Sequence, residues 1–253
     1  MADSEKPLVY LILGAAGSGR REVLVDLTES LADEGGGVAV LLSDAETASE
    51  ADAKLPGLTH WNWSDGMVVA QWPAGATQVF FVTDGRSSPV DQLEALKPWI
   101  EAQGAEIARV LCVVNCQLAE QNPGLRAWYD ACVHFSDVVL LNRREGVANK
   151  WLSDFQAHYK AQFLPCLFEF VKEGRVKNPQ LVLVPEARRM SHWFDEEQDW
   201  VFTDAEGDEI EEDEESDSDE EVTVTAEVDP YFERHVSGRR VTEVPDIRKF
   251  LPA

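Results

Sequence analysis

One short segment constrains the fold of this chain more than any other. Residues 11–21 read Leu-Ile-Leu-Gly-Ala-Ala-Gly-Ser-Gly-Arg-Arg, in which an apolar run leads into the spacing Gly-x-x-x-x-Gly. This spacing is typical of a P-loop, whose backbone N–H groups, together with the N-terminus of the next helix, bind phosphate. The segment therefore predicts a strand, a phosphate-binding turn and a helix, in that order.

Two positions in this segment depart from a working P-loop. Arg20 stands where a Lys normally reaches the phosphates, and Arg21 stands where a Ser or Thr hydroxyl normally binds Mg²⁺. A guanidinium can bind phosphate oxygens, but it has no lone pair to offer a metal ion. We therefore expect either a phosphate-binding loop with impaired Mg²⁺ binding or a glycine-rich turn that binds no ligand.

Apolar runs of strand length alternate with amphipathic segments along the first two thirds of the chain. The pattern predicts strands over 8–13, 38–42, 78–83, 108–114 and 137–141, shorter strands over 165–170 and 181–184, and helices over 20–32, 90–103, 124–133 and 148–162. Residues 60–72 are ambiguous between strands and loop. This alternation favours an α/β fold with a mostly parallel sheet and helices on both faces.

Within the ambiguous stretch, Trp61 and Trp63 are two residues apart. On a strand, that spacing puts both side chains on the same face. We expect both indole rings to pack into the hydrophobic core.

The charge is distributed very unevenly. The net charge is −25, and residues 195–221 contain 17 Asp or Glu and no Lys or Arg. A segment of this composition cannot bury apolar surface, so we predict that 195–221 is disordered. We divide the chain into a nucleotide-binding domain over 1–194, the acidic segment, and a C-terminal piece over 222–253. That last piece either docks on the domain or is a partner-binding peptide.

Composition also excludes several classes of function. The remaining body is mildly acidic and shows no basic patch, which argues against nucleic acid as a partner. No apolar run reaches about 18 residues, and the N-terminal residues are polar, so we expect a cytoplasmic protein without a membrane span. The four cysteines lack metal-site or paired spacing, which predicts reduced, buried thiols: Cys112, Cys116, Cys132 and Cys166.

Residues 8–165 resemble a degenerate member of the CobW/HypB/UreG-type P-loop GTPases, cytosolic proteins that mostly deliver metal ions to enzymes. Five landmarks occur in the family's order, and the first is the loop over 14–21. The second is 82–89, where Gly85 and Pro89 match the family's Glu-x-x-Gly and following Pro, although Val82 replaces the acid. The third is the strand ending at Asn115, where the family has Asp.

The last two landmarks concern the nucleotide base. Residues 135–142 are similar to the family's Ala-Asp-x-x-x-Leu-Asn strand, with Asp137 and Asn142 matching. Residues 142–145 stand at the guanine-reading Asn-Lys-x-Asp motif. Asn142 is retained, Arg143 keeps an aliphatic stem to lie over a base, and Glu145 keeps a carboxylate that is one methylene longer. The resemblance implies GTP or GDP as the ligand, with weakened selectivity for guanine.

Other features of the family are missing. No cysteine lies between Asp44 and Gln78, so the family's Cys-x-Cys-Cys metal motif is absent and metal delivery by that route is not supported. Asp84 is the remaining candidate for a carboxylate beside a metal ion, and the alternative is that it only forms an Asp-Gly turn. Asp44 and Glu46 either lie near the same sheet edge or are ordinary loop acids.

These observations lead to two functional hypotheses. The first is a P-loop protein that binds a guanine nucleotide with weak or absent hydrolysis. The second is a pseudo-GTPase that recruits an unidentified protein partner through its acidic C-terminal part. No catalytic or metal-binding residue is assigned, and the oligomeric state is left open. The predicted nucleotide-binding residues are Gly14, Ala16, Gly17, Ser18, Gly19, Arg20, Arg21, Asp84, Gly85, Asn142, Arg143 and Glu145.

Overall fold

The computed structural model describes residues 6–31, 37–195 and 228–251. Within these residues, strands and helices alternate along the chain. The strands are β1 (Leu8–Leu13), β2 (Val38–Ser43), β3 (Thr59–Ser64), β4 (Met67–Val69), β5 (Gln78–Val82), β6 (Glu106–Asn115), β7 (Val138–Asn142), β8 (Leu167–Lys172) and β9 (Arg175–Val176). The helices are α1 (Arg20–Leu31), α2 (Pro89–Ala102), α3 (Cys116–Gln121), α4 (Arg126–His134), α5 (Asn149–Lys160) and α6 (Pro179–Leu183).

The strands form one sheet in the order β4-β3-β2-β5-β1-β6-β7-β8-β9. Neighbouring strands are parallel except for the outermost pairs, β3 with β4 and β8 with β9. The predicted fold class is therefore confirmed. From β1 the chain passes to β2 on one side, whereas β6 leads to β7 on the other. Ligands of open α/β sheets bind at the carboxyl ends of strands at such a reversal.

The central strand β1 shows why the sheet is covered on both faces. Val9, Leu11 and Leu13 point into a core shared with α2 and α4, and Tyr10 and Ile12 point into a second core shared with α1. All five side chains are at most 3% exposed. A strand buried on both faces reads as a continuous apolar run, which is the pattern that identified β1 in the sequence.

The strand predicted over 181–184 is wrong, because those residues fall mostly within α6. Asn178 caps this helix by accepting a hydrogen bond from the backbone N–H of Leu181 at 3.4 Å, and Pro179 occupies its first position. A side-chain acceptor followed by Pro is a helix-start signal that outweighed the short apolar run. The structure also adds α3, directly after β6, which the sequence analysis did not predict.

The expectation that both tryptophans pack inward is only half correct. Trp61 is 1% exposed and its indole donates to the carbonyl of Val82, whereas Trp63 is 40% exposed. The pairing of β3 with β2 ends at Trp61, so Trp63 extends past the parallel sheet into a hairpin with the edge strand β4. The environment of a side chain thus changes within two residues of the same strand.

The C-terminal residues 228–251 pack onto the body. Phe232 and Ile247 are buried in the core on the α2 and α4 side. The ring of Phe232 lies 4.2 Å from that of Trp193, centroid to centroid. Residues 228–251 therefore contribute side chains to the same core as α2 and α4. The disorder predicted over 195–221 lies outside the described residues, apart from residue 195.

All four cysteines are free and buried, as predicted. Burial raises the pKa of the Cys116 and Cys166 thiols to about 12, so both stay protonated and unreactive at neutral pH. Among the helices that the structure describes, none has the length and apolar character needed to cross a bilayer.

Candidate functional site

The glycine loop over 14–19 connects β1 to α1 at the carboxyl edge of the sheet, as its sequence predicts. Gly14, Gly17 and Gly19 all have positive φ angles, of 133°, 78° and 84°. A Cβ atom on Gly14 would lie 2.4 Å from the carbonyl oxygen of Val113, so β6 runs directly behind the loop. Only glycine fits such a close approach of two backbones.

Two asparagine side chains hold the loop from behind. Asn115, at the end of β6, donates through Nδ2 to the carbonyl of Gly17 at 3.2 Å. Asn142, at the end of β7, donates through Nδ2 to the carbonyl of Ser18 at 2.8 Å. The C=O and N–H of a trans peptide point in opposite directions. The N–H of Gly19 is therefore turned away from Asn142, as a phosphate-binding backbone requires.

The turn after β5 lies against the front of the loop. The N–H of Ala16 donates to the carbonyl of Gly85 at 2.9 Å. A Cβ atom on Gly85, whose φ is 66°, would lie 2.5 Å from the carbonyl oxygen of Gly14 and 2.6 Å from the nitrogen of Ala16. The predicted site residues Gly14, Ala16 and Gly85 are thus brought together in the fold.

Arg20 is 4% exposed, and its guanidinium is bound on several sides. It donates to the carbonyl of Thr83 and to the Glu46 carboxylate, and lies 3.3 Å from the carbonyl of Asp84. Burial lowers the pKa of Arg20, and the carboxylates of Glu46 and Asp84 oppose that shift. The guanidinium of Arg20 is therefore hydrogen-bonded to residues that follow β2 and β5.

Arg21 is bound by the same segment. Its guanidinium donates to the carbonyl of Thr47 at 2.7 Å and to Oε2 of Glu46 at 2.9 Å, and lies 3.3 Å from Oδ1 of Asp52. Glu46 thus bridges both arginines with its two carboxylate oxygens. From the sequence, Glu46 was equally compatible with a residue near the site and with an ordinary loop acid. Glu46 lies three residues after the end of the buried strand β2. This position was the one sequence feature that could have indicated a role at the site.

The Asp84 carboxylate is used within its own turn. It accepts hydrogen bonds from the N–H of Arg86 at 2.8 Å, from the N–H and hydroxyl of Ser87 at 2.9 and 2.7 Å, and from the Gln92 amide at 2.7 Å. Burial by itself would raise the pKa of Asp84, but these donors hold it below its usual value. Asp84 therefore plays the turn-forming role that was the alternative to a metal-side carboxylate.

No group of three His, Cys, Asp or Glu side chains within the described ranges could hold a metal ion. Arg21 stands at the sequence position of the usual Mg²⁺-binding hydroxyl, and its guanidinium bonds to the segment over 46–52. The Ser18 hydroxyl, in contrast, is fully buried in the loop and makes no hydrogen bond. A buried hydroxyl without a partner is unfavourable, and a ligand oxygen in the loop would relieve it.

The predicted base-reading residues separate after β7. Asn142 faces the loop, whereas Arg143, with a φ of 51°, reaches to α1 and places Nη2 3.1 Å from Oε1 of Glu22. Glu145 is exposed, and its backbone carbonyl accepts a hydrogen bond from the Gln117 amide at 2.6 Å. Asn142 and Arg143 thus lie beside the loop and its helix, while Glu145 lies in solvent.

No protein-family model matches the sequence, and no curated protein matches it. Solved structures with a similar arrangement include the Zn(II)-bound YjiA GTPase from E. coli, at 12% identity and a TM-score of 0.45 over 72% of this chain and 62% of that one. The signal recognition particle receptor FtsY from Elizabethkingia anophelis in complex with GDP has 15% identity and a TM-score of 0.46, over 77% and 66% of the two chains. FtsY from Thermotoga maritima has 18% identity and a TM-score of 0.43, over 71% and 68%.

Proposed function

We propose that this chain is a P-loop protein that binds the phosphate groups of a guanine nucleotide weakly, without Mg²⁺, and does not hydrolyse it. The observation that supports this most directly is the pair of asparagine contacts behind the loop. Asn115 and Asn142 bind the carbonyls of Gly17 and Ser18, which keeps the loop in an open turn. The N–H of Gly19 is thereby turned away from Asn142 and can donate to an anion, whereas the N–H groups of Ala16 and Ser18 donate to the carbonyls of Gly85 and Ala15.

The guanine preference rests on the residues that follow β7. Asn142 lies at the loop, and the acid Glu145 is exposed three residues later. A carboxylate in solvent can turn toward the two N–H groups on the edge of guanine, but it must give up side-chain freedom to do so. We therefore expect a modest preference for guanine over adenine.

Hydrolysis is not expected, because the groups that it needs have other partners. Phosphoryl transfer depends on a metal ion that neutralises developing charge and on a positioned water molecule. Asp84 accepts hydrogen bonds from Arg86 and Ser87 of its own turn and from Gln92 of α2, and Arg21 stands at the sequence position of the metal-binding hydroxyl. A bound nucleotide would therefore persist unchanged.

Isothermal titration of the full chain with GTP, GDP and ATP, each with and without Mg²⁺, tests this proposal. We expect saturable binding that favours guanine, is insensitive to Mg²⁺, and weakens in the Arg20→Ala variant. Arg248→Ala serves as the control, because Arg248 is exposed and bonds to Asp246 far from the loop in sequence. Absence of binding at millimolar nucleotide would overturn the proposal.

A second candidate function is recruitment of a protein partner by the acidic segment 195–221. This candidate is supported by the contacts that hold the chain to the body just before and just after the acidic segment. Asp195 pairs with Arg189, and Asp229 with His134, whose backbone carbonyl also accepts from the N–H groups of Met190 and Ser191. A run of 17 acids with no basic residue, anchored at both ends, would suit a basic partner.

This second candidate is tested by replacing residues 204–221 with a neutral Gly/Ser linker of the same length. We expect the replacement to abolish capture of the partner while nucleotide titrations stay unchanged. Unchanged capture would count against the acidic run. Deleting everything from residue 195 onward is unsuitable, because Phe232 and Ile247 belong to the core.

A further inference from the structure

We infer that Glu46 is an internal competitor for the phosphate group, a carboxylate that occupies the loop's arginines until an anion displaces it. The inference rests on the proposed function, since it concerns how the same loop is regulated. It identifies Glu46 as the residue that sets the affinity for phosphate, a role that the motif of the loop does not include.

The first argument is the geometry of the bridge. One carboxylate oxygen of Glu46 contacts Nη2 of Arg20, and the other accepts from Nη2 of Arg21 at 2.9 Å. A phosphate presents two oxygens to guanidinium groups in the same way. The carboxylate therefore takes the donors that a phosphate group in the loop would need.

The second argument is the local charge. The guanidinium groups of Arg20 and Arg21 face the carboxylates of Glu46 and Asp52, and the Asp84 carboxylate also acts on Arg20, so two positive charges meet three negative charges. The side chains of Arg20, Arg21 and Glu46 are 3%, 12% and 15% exposed, so solvent screens them little. The positive charges of Arg20 and Arg21 are already neutralised by carboxylates. They therefore attract an incoming phosphate only weakly unless Glu46 is displaced.

Glu46 can be displaced while the neighbouring elements keep their other contacts. It lies in the irregular stretch between β2 and the 3₁₀ turn Glu50–Lys54, whose start is fixed separately by a capping box of Ser49 and Asp52. Arg20 would keep its contacts to the carbonyls of Thr83 and Asp84. Displacement of this single side chain therefore releases Nη2 of both arginines from the Glu46 carboxylate.

The experiment is a titration of the full chain with inorganic pyrophosphate and with GDP, at low salt and without Mg²⁺. It compares the unmodified chain, Glu46→Gln, and Asp52→Asn as the control. Gln keeps the shape and an acceptor oxygen but removes the charge, and Asp52 faces Arg21 alone. We expect Glu46→Gln to tighten binding about tenfold or more, the size of one charge-assisted hydrogen bond, and Asp52→Asn to change it less.

Each outcome decides between the ideas. Tighter binding in Glu46→Gln that is lost in Glu46→Gln with Arg20→Ala supports the competitor role. Equal, measurable binding in the unmodified chain and Glu46→Gln overturns the competitor role but leaves phosphate binding intact. Absence of measurable binding in every variant overturns both the competitor role of Glu46 and the proposed phosphate binding. If circular dichroism shows Glu46→Gln to be unfolded, Glu46→Asp replaces it, since the shorter side chain cannot reach both arginines, and the same criteria apply.

Discussion

The side-chain amide of Asn142, at the end of β7, donates a 2.8 Å hydrogen bond to the backbone carbonyl of Ser18, 124 residues earlier in the chain. Asn142 is 6% exposed, and a Cβ atom on Gly19 would lie 2.4 Å from its Nδ2. The contact ties the carboxyl edge of the sheet to the centre of the glycine loop. It places Asn142, which the sequence predicts to read a nucleotide base, in direct support of the backbone of the glycine loop.

Replacing Asn142 with Ala should destabilise the fold by about 1–3 kcal/mol, because it leaves the buried Ser18 carbonyl without a donor. The same variant should weaken nucleotide binding, since the loop loses its support. Urea unfolding measures the first effect and calorimetric titration the second. Asn149→Ala, at the exposed start of α5, is the control. An Asn142→Ala chain with unchanged stability would contradict the role of this contact.

Replacing Gly85 with Ala should cost more than the same change at Gly75. Both glycines have positive φ, of 66° and 74°, so both variants suffer left-handed strain of about 1 kcal/mol. Only at Gly85 would the new Cβ also meet the backbone of Gly14 and Ala16, while at Gly75 nothing lies within 4 Å. The extra overpacking should add about 1–3 kcal/mol. Chemical denaturation of the two variants compares them, and equal losses would argue against close packing of the turn on the loop.

Asp84 should make the stability depend on pH in the acid range. Its pKa in the folded chain lies below the ordinary value of 3.8, so the carboxylate stabilises the fold above that pH. The contribution is lost as the pH falls through the folded-state pKa and the group takes up a proton. The difference in unfolding free energy between the unmodified chain and Asp84→Asn should therefore be larger near pH 6 than near pH 2.5. A constant difference would show that the hydrogen bonds from Ser87 and Gln92 do not favour the charged form.

Replacing Ile247 with Ala should destabilise the whole domain by about 2–5 kcal/mol, because this side chain is fully buried. If residues 228–251 only rested on the surface, global unfolding would not change. Thermal unfolding measured by far-UV circular dichroism distinguishes the two cases. Val236→Ala is a suitable control, because Val236 is fully exposed in the same stretch.

Much of the fold could be read from local patterns. The sequence predicts the unit of β1, glycine loop and α1 from an apolar run, the glycines after it and an amphipathic segment. A strand that is buried on both faces needs apolar residues throughout, and positive φ angles favour glycine, so both features can be recognised from residue types alone. The exposure of side chains at the edge of the sheet was harder to predict from the sequence. Trp63 has the same strand environment as Trp61 in the sequence, but its exposure depends on where β2 ends.

Local patterns were enough to predict a mostly parallel α/β sheet with a glycine loop at its carboxyl edge, and to show that the loop lacks the usual Lys and Mg²⁺-binding hydroxyl. The contacts of the two replacing arginines could be identified only in the folded chain. Glu46 is 25 and 26 residues away from them, and its contact depends on β2 ending beside α1. Charge pairing between elements is set by the packing of the sheet, which local spacing does not encode.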